Sequence, residues 1–149
     1  MIPSTPRRLK VCACLLAANL LFIWGNSLLP ASVSASLSGW LRSLLWFLPS
    51  GEGGQAQGDG PLRTLAHFLE FCSLGALLCW LFGMLQKNPW TFLPPALGCG
   101  CLVACTDETL QYFVPGRTPQ LTDVGIDLLG IILSAILFSI GFVINKKQK

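Results

Sequence analysis

Residues 121–144 read LTDVGIDLLGIILSAILFSIGFVI, and this stretch decides the class of fold. Its first turns carry Asp123 and Asp127, residues 128–144 contain no charged side chain, and Lys146 follows almost at once. About 20 mostly apolar residues are enough to cross the hydrocarbon core of a bilayer as a helix. The stretch therefore predicts a membrane-spanning helix with acidic residues at one end and lysines at the other.

The composition of the whole chain also predicts a membrane environment. Of 149 residues, 52% are hydrophobic and 11% are charged, whereas a soluble globular domain carries about 25% charged residues. Three further stretches are long and apolar enough to span, at about residues 9–28, 62–85 and 90–110. We predict an all-α polytopic membrane protein of one domain, residues 1–149, with four transmembrane helices. This composition excludes a soluble enzyme and a secreted disulfide scaffold, and a net charge of only +3 predicts no nucleic-acid partner.

The basic residues predict the orientation of these spans. With four spans both termini lie on one side, and that side holds most of the ten lysines and arginines: Arg7, Arg8, Lys10, Lys87, Lys146, Lys147 and Lys149. Because short loops rich in Lys and Arg stay in the cytoplasm, we expect both termini there. The N terminus also permits a cleaved signal peptide ending at Val33-Ser34-Ala35, but Asn19 within the apolar run and the long gap before Ala35 favour a retained span.

The segment between the first two spans has two parts. One helical stripe, with spacing i, i+3, i+4, i+7, i+8 and i+11, is formed by Leu37, Trp40, Leu41, Leu44, Leu45 and Leu48. This spacing predicts an amphipathic helix over about residues 36–48. It either lies in the outer membrane interface, where Trp is favoured, or packs over the other spans. Residues 51–60 are rich in glycine and predict a flexible loop.

The acidic residues all fall on the predicted outer side. Helical spacing gives three spans a polar stripe each: Arg63, His67 and Glu70 in the second, Asp107, Glu108 and Gln111 in the third, and Asp123 and Asp127 in the fourth. Polar groups within a membrane turn toward one another or toward water. We therefore predict one polar cup open to the outer face, formed by these eight residues together with Arg117.

The cup carries an excess of negative charge. Five acids face two arginines, so with His67 neutral the sum is −3. Such an excess needs compensation, so either some carboxylates hold protons, or a divalent cation binds, or a ligand brings a cationic group. Glu70, Glu108 and Asp127 are the candidate metal ligands by charge and position. The seven cysteines lack C-x-x-C spacing and predict no zinc site.

The order of these residues resembles a known family. Arg63-x-x-x-His67-Phe68-x-Glu70 is followed by Asp107-Glu108-x-x-Gln111-x-Phe113-x-Pro115-Gly116-Arg117, then by Asp123-x-x-x-Asp127-x-x-Gly130. This combination is similar to the VanZ-like family of small bacterial membrane proteins, and the likeness covers about residues 62–144. The resemblance implies a bacterial cell-membrane location and a role at the envelope, because the founding member is linked to teicoplanin-type glycopeptide resistance.

Two classes of function stay open at this point. In the first, the cup binds or modulates lipid headgroups, lipid-linked wall precursors or a glycopeptide antibiotic. In the second, the chain is an intramembrane hydrolase or transferase in which His67 with Asp107 or Glu108 activates water or a hydroxyl, with metal assistance permitted. We expect Arg117 to form a salt bridge to Asp123 or Glu108. Ion or proton transport is disfavoured, because the inner halves of spans two to four carry no charged residue.

Overall fold

Four long helices make up most of the computed structural model, which describes residues 6–34, 36, 40, 60–86 and 88–147. They are α1 (Pro6–Ser27), α2 (Gly60–Leu85), α3 (Pro89–Tyr112) and α4 (Leu121–Lys147). Each contains a segment long and apolar enough to cross a membrane: Pro6–Ser27, Arg63–Leu85, Pro89–Tyr112 and Leu121–Asn145. The described residues contain no strand. The predicted all-α fold with four helices of membrane-spanning length is confirmed.

The sequence around α3 explains where that helix begins and ends. The Asn88 side chain accepts a hydrogen bond from the Trp90 N–H at 3.2 Å, and Pro89 takes the first helical position, where no N–H is needed. Pro94 and Pro95 lie inside the helix. At the other end the Phe113 N–H bonds to the Leu110 carbonyl at 3.1 Å, which tightens the last turn before the link to α4.

The α2 and α3 helices form the centre of the bundle. Each of them packs against the other and also against both α1 and α4, and the contact between α2 and α4 is the most extensive. The apolar core runs through all four helices and includes Ile23, Phe71, Leu74, Phe92, Ala104 and Ile131. Gly75 on α2 and Gly130 on α4 let these two helices approach closely. The polar residues of α2 and α4 are thereby brought within reach of one another.

The outward surface of the bundle is strongly apolar. Large hydrophobic side chains such as Leu21, Leu102 and Leu137 are well exposed, which suits helices whose surroundings are lipid tails. Asn19 is the polar residue within the apolar run of α1, and its amide donates to the Ser73 hydroxyl of α2 at 2.7 Å. A polar side chain within a span thus finds a partner on the neighbouring helix.

Two predicted features fall mainly outside the described residues. The amphipathic helix over residues 36–48 is described only at Ser36 and Trp40, both of which are helical. A helical turn at residues 31–34 precedes them. The predicted loop over residues 51–60 lies outside the described part except for Gly60, which is already the first residue of α2.

Candidate functional site

Polar side chains gather at one end of the bundle. Because α1 and α3 end there while α2 and α4 begin there, the last turns of two helices face the first turns of the other two. Most of the buried polar and charged residues of the described chain lie at this end: Ser27, His67, Glu70, Asp107, Glu108, Gln111, Arg117 and Asp127. The structure therefore brings together residues that the sequence separates by up to a hundred positions.

Three of these side chains form a cluster at the centre, which we call the His–Asp cluster: His67, Asp107 and Asp127. His67 Nδ1 lies 3.4 Å from Asp127 Oδ1 and 3.9 Å from Asp107 Oδ2. The His67 side chain is 4% exposed, and both carboxylates are fully buried. Three helices, α2, α3 and α4, thus meet at this cluster, and each contributes one of its side chains.

The His–Asp cluster has unused hydrogen-bonding capacity. Buried atoms without a hydrogen-bond partner include His67 Nδ1, Asp107 Oδ1 and both carboxylate oxygens of Asp127. A buried polar atom without a partner costs on the order of 1–3 kcal/mol, and more when it is charged. Several such atoms facing one another form a place where a cation or a hydrogen-bond donor is strongly favoured.

A chain of polar contacts joins this cluster to the edge of the site. Gln111 Nε2 donates to Asp107 Oδ2 at 3.0 Å, and its Oε1 accepts a hydrogen bond from Arg63 Nη2. Arg63 Nη2 also lies 3.5 Å from Asp123 Oδ2. The side chains of Arg63 and Asp123 are 29% and 17% exposed, so exposure falls from this edge to the fully buried cluster.

The neighbours of Gln111 fix the orientation of its amide. A carboxylate oxygen can only accept and a guanidinium can only donate. The amide nitrogen must therefore face Asp107 while the amide oxygen faces Arg63. The same nitrogen reaches Ser27 Oγ of α1 at 3.3 Å. Gln111 therefore links the Arg63 guanidinium to the buried Asp107 carboxylate. This is a more central position in the site than the sequence pattern indicates.

Helix α1 contributes residues that the sequence analysis missed. Asn26 Nδ2 donates to Glu70 Oε1 at 2.8 Å, and Ser27 is almost fully buried against Gln111. The signal was present as Gly25-Asn26-Ser27 at the end of the first apolar run. It could not be placed without knowing which face of α1 meets α2 and α3.

Glu108 turns away from the His–Asp cluster. Successive residues on a helix point about 100° apart, and while Asp107 faces His67, Glu108 Oε1 accepts a hydrogen bond from the Gln120 backbone N–H in the link to α4. Its Oε2 has no partner among the described residues. Glu108 therefore holds the α3–α4 link, and Asp107 is the member of this pair that contacts the imidazole.

Arg117 occupies a different place from the one predicted. Its Nε donates to the Leu29 carbonyl and its Nη2 to the Asn26 carbonyl, both at 3.1 Å. The expected salt bridge to Asp123 or Glu108 is absent among the described ion pairs, so that expectation is corrected. The guanidinium adds a hydrogen bond to the Asn26 carbonyl, which also accepts one from the Leu29 N–H, and a second to the Leu29 carbonyl just after α1. Burial lowers the pKa of Arg117, and nearby Arg63 lowers it further.

The metal-ligating geometry also differs from the predicted set. His67, Asp107 and Asp127 each offer one ligand atom, and these atoms lie within 4.8 Å of one another. Asp127 belongs to both sets, whereas Glu70 pairs with Asn26 and Glu108 with Gln120. Within the described chain no other group of three such residues converges, and all seven cysteines are free.

Comparison with known proteins places the chain in a family. The family model described as VanZ/LLP1 matches residues 12–143, which include α2 and α3 entirely and most of α1 and α4. No curated protein and no solved structure shows a significant match. The match includes every residue of the polar site described above. The chain, with its four helices of membrane-spanning length, belongs to the VanZ/LLP1 family.

Proposed function

We propose that the protein is a multi-pass protein of the bacterial cytoplasmic membrane and that it binds the polar part of an envelope ligand at the end of the bundle that holds the His–Asp cluster. Its ligand is the headgroup of a lipid or lipid-linked wall precursor, or a glycopeptide antibiotic that acts on such a precursor. Binding there alters how the envelope meets the antibiotic, which gives the protein a role in resistance. Both termini lie in the cytoplasm, and this end of the bundle faces outward.

This proposal rests on one observation: more acceptor atoms than donor atoms at the site lack a hydrogen-bond partner. Arg117 donates to the Asn26 and Leu29 carbonyls, and Arg63 Nη2 is engaged with Gln111 and Asp123, while Arg63 Nε is buried without a partner. Oxygen atoms of Glu70, Asp107 and Asp127 are buried without partners. The site therefore favours a ligand that brings hydrogen-bond donors or positive charge, such as hydroxyl or amine groups, over an anionic group.

The exposure gradient supports entry from the end of the bundle. Arg63 and Asp123 form the accessible edge, and the fully buried carboxylates lie deeper. A headgroup at the membrane surface meets this edge first. The excess of Lys and Arg at the other end of the helices favours that other end as the cytoplasmic one.

A second candidate function, an intramembrane hydrolase or transferase, is favoured by a different observation. His67 lies 3.4 Å from Asp127 and 3.9 Å from Asp107, and a carboxylate beside an imidazole orients it and stabilises its protonated form. In this function His67 takes a proton from water or from a hydroxyl of a lipid-linked substrate. Of the two acids first proposed as its partner, Asp107 contacts the imidazole and Glu108 supports the α3–α4 link.

One experiment tests the proposal and separates the two candidates. Cells carrying the chain, the His67→Ala variant or the empty vector are compared for glycopeptide susceptibility, for binding of labelled teicoplanin, and for lipid and muropeptide mass profiles. Altered antibiotic binding with unchanged profiles supports the binding protein. A new or missing modified species that depends on His67 supports the enzyme instead.

The variants need a matched control for folding. Thr109→Ala changes an exposed hydroxyl of α3 that bonds only to the Cys105 carbonyl of its own helix. We expect it to behave as the wild type at equal membrane abundance. If His67→Ala and Asp107→Ala both retain the full envelope phenotype at that abundance, the catalytic function is excluded and the activity does not depend on this site.

A further inference from the structure

We propose that the His–Asp cluster is a binding site for one divalent transition-metal ion, held by the imidazole of His67 and the carboxylates of Asp107 and Asp127. The inference goes beyond the binding of an envelope ligand, because it concerns an ion resident in the protein. It also stands without the proposed function, since it rests on the geometry and the unused atoms of these three residues.

The ligand atoms have the spacing that a small cation needs. Ligand atoms about 2.0–2.1 Å from a tetrahedral Zn²⁺ lie about 3.4 Å from one another. His67 Nδ1 and Asp127 Oδ1 are 3.4 Å apart, and His67 Nδ1 and Asp107 Oδ2 are 3.9 Å apart. One ligand atom from each of the three residues lies within 4.8 Å of those of the other two. Small side-chain rotations suffice to bring them around one ion.

Charge and burial favour an ion in this position. Asp107 and Asp127 are fully buried, and both oxygens of Asp127 lack a hydrogen-bond partner. Buried charges in proteins are normally paired or coordinate metals. A divalent cation offsets two carboxylates and uses the lone pair of a neutral imidazole. It therefore satisfies at once the atoms that protein contacts leave unused.

The surroundings resemble the outer shell of a metal site. Metal-bound carboxylates are usually held by further hydrogen bonds that fix their orientation. Gln111 supplies such a bond to Asp107 at 3.0 Å, and Arg63 holds Gln111 from the other side. This arrangement leaves Asp107 Oδ1 without a protein partner. The Asp107 oxygen nearer His67, Oδ2, keeps a second lone pair beside the bond from Gln111, and Oδ1 is a second possible ligand atom.

The donor set narrows the identity of the ion. One imidazole nitrogen with two carboxylate oxygens suits Zn²⁺ or Mn²⁺, whereas Ca²⁺ takes six to eight oxygen ligands and Cu⁺ prefers sulfur. Three protein ligands also leave a coordination position open to water or to an oxygen of a bound molecule. The site therefore resembles a catalytic or ligand-binding metal site, which keeps an open coordination position, more than a fully coordinated structural site.

The test measures metal in the purified full-length protein. The chain is extracted in detergent, stripped with chelator, reloaded with MnCl₂ and passed over a desalting column, and manganese is measured by mass spectrometry and electron paramagnetic resonance. Mn²⁺ is the probe because carboxylate and imidazole ligands suit it and thiolates do not, so the seven cysteines do not compete. We expect about one Mn²⁺ per chain.

Variants connect the metal to the three residues. His67→Ala and Asp127→Asn are expected to lower bound Mn²⁺ at least tenfold, whereas Thr109→Ala, which removes an exposed hydroxyl of α3 that bonds within its own helix, is expected to retain it. Substoichiometric metal in the wild type, or equal metal in all variants, overturns the proposal. If a variant fails to fold, the wild type alone decides: Mn²⁺ must raise its apparent Tm and chelator must reverse this.

The experiments distinguish a failure of the metal proposal from a failure of the proposed function. If the wild type binds no metal and His67→Ala still abolishes the envelope phenotype, the metal site is wrong and the ligand-binding function survives. If Mn²⁺ binds with the expected variant pattern but no envelope phenotype depends on His67, the metal site stands and the proposed function is wrong.

Discussion

Gly130 of α4 lies directly against the backbone of Phe68 of α2. A Cβ atom placed on Gly130 would be 2.6 Å from the Phe68 carbonyl oxygen and 3.0 Å from the Cys72 nitrogen. Phe68 is next to His67 in sequence, and Gly130 is one helical turn beyond Asp127. The contact of these two backbones therefore sets the distance between His67 and Asp127, because no side chain separates the helices at that level.

Adding a methyl group at this contact is expected to destabilise the bundle. Gly130→Ala forces α2 and α4 apart, since backbone atoms cannot move aside as the end of a side chain can. Overpacking of this kind costs about 1–3 kcal/mol. We expect a lower apparent Tm in detergent and weaker metal retention, measured on the same sample.

Gly141→Ala is the matched control, because nothing lies within 4 Å of a Cβ at Gly141 on the same helix. It is expected to leave Tm unchanged or to raise it slightly, as helix propensity favours Ala over Gly. If the two variants have the same Tm, the close approach at Gly130 is not what holds the helices together.

Replacing Gln111 is expected to damage the site without creating a large cavity. Gln111→Leu leaves Asp107 and Arg63 without the amide that joins them. A buried group that loses its partner costs about 1–3 kcal/mol, and more when charged. We expect a clear fall in apparent Tm by thermal-shift measurement, whereas Thr109→Ala, two residues away on α3 and exposed, is expected to leave it unchanged. A Gln111→Leu protein as stable as the wild type would show that the coupling contributes nothing.

The helices were predictable because apolar length alone specifies a spanning segment, and the polar stripes were predictable from helical spacing. Which member of the Asp107–Glu108 pair faces His67 was not predictable, because that depends on the rotation of α3 against α2. The rotation of α1, which the sequence does not specify either, hid Asn26 and Ser27. Arg117 was misplaced because its partners are the backbone carbonyls of Asn26 in α1 and of Leu29 just after it. Backbone carbonyls carry no residue-type signal, so a sequence motif cannot reveal them as partners.

Arg117 is expected to hold the end of α1 in place, and Lys is expected to replace it poorly. The guanidinium makes two hydrogen bonds from separate nitrogens to the carbonyls of Asn26 and Leu29, and a lysine ammonium lacks that fork. We predict that Arg117→Lys and Arg117→Ala both increase protease cleavage after residue 28 in detergent. Equal cleavage of Arg117→Lys and wild type would contradict this role.

Reporter fusions test the predicted orientation. Green fluorescent protein fused after Lys149 is expected to fluoresce, and alkaline phosphatase at the same position is expected to be inactive, since both termini are expected in the cytoplasm. Alkaline phosphatase inserted within residues 51–60 is expected to be active. The reverse pattern would place the polar end of the bundle inside the cell and would contradict binding of a ligand at the outer face of the membrane.

A double-mutant cycle tests whether α1 belongs to the site. Asn26 donates to Glu70 at 2.8 Å, and Glu70 is 8% exposed. A hydrogen bond contributes about 0.5–1.5 kcal/mol, and more when one partner is charged, so Asn26→Leu and Glu70→Leu, each of which removes one partner, are each expected to lower the free energy of unfolding. Because both changes remove the same contact, their combined effect is expected to be smaller than their sum. The measurement is reversible unfolding in mixed micelles of the two single variants and the double variant. Additive effects would mean that α1 packs beside the site without contributing to it.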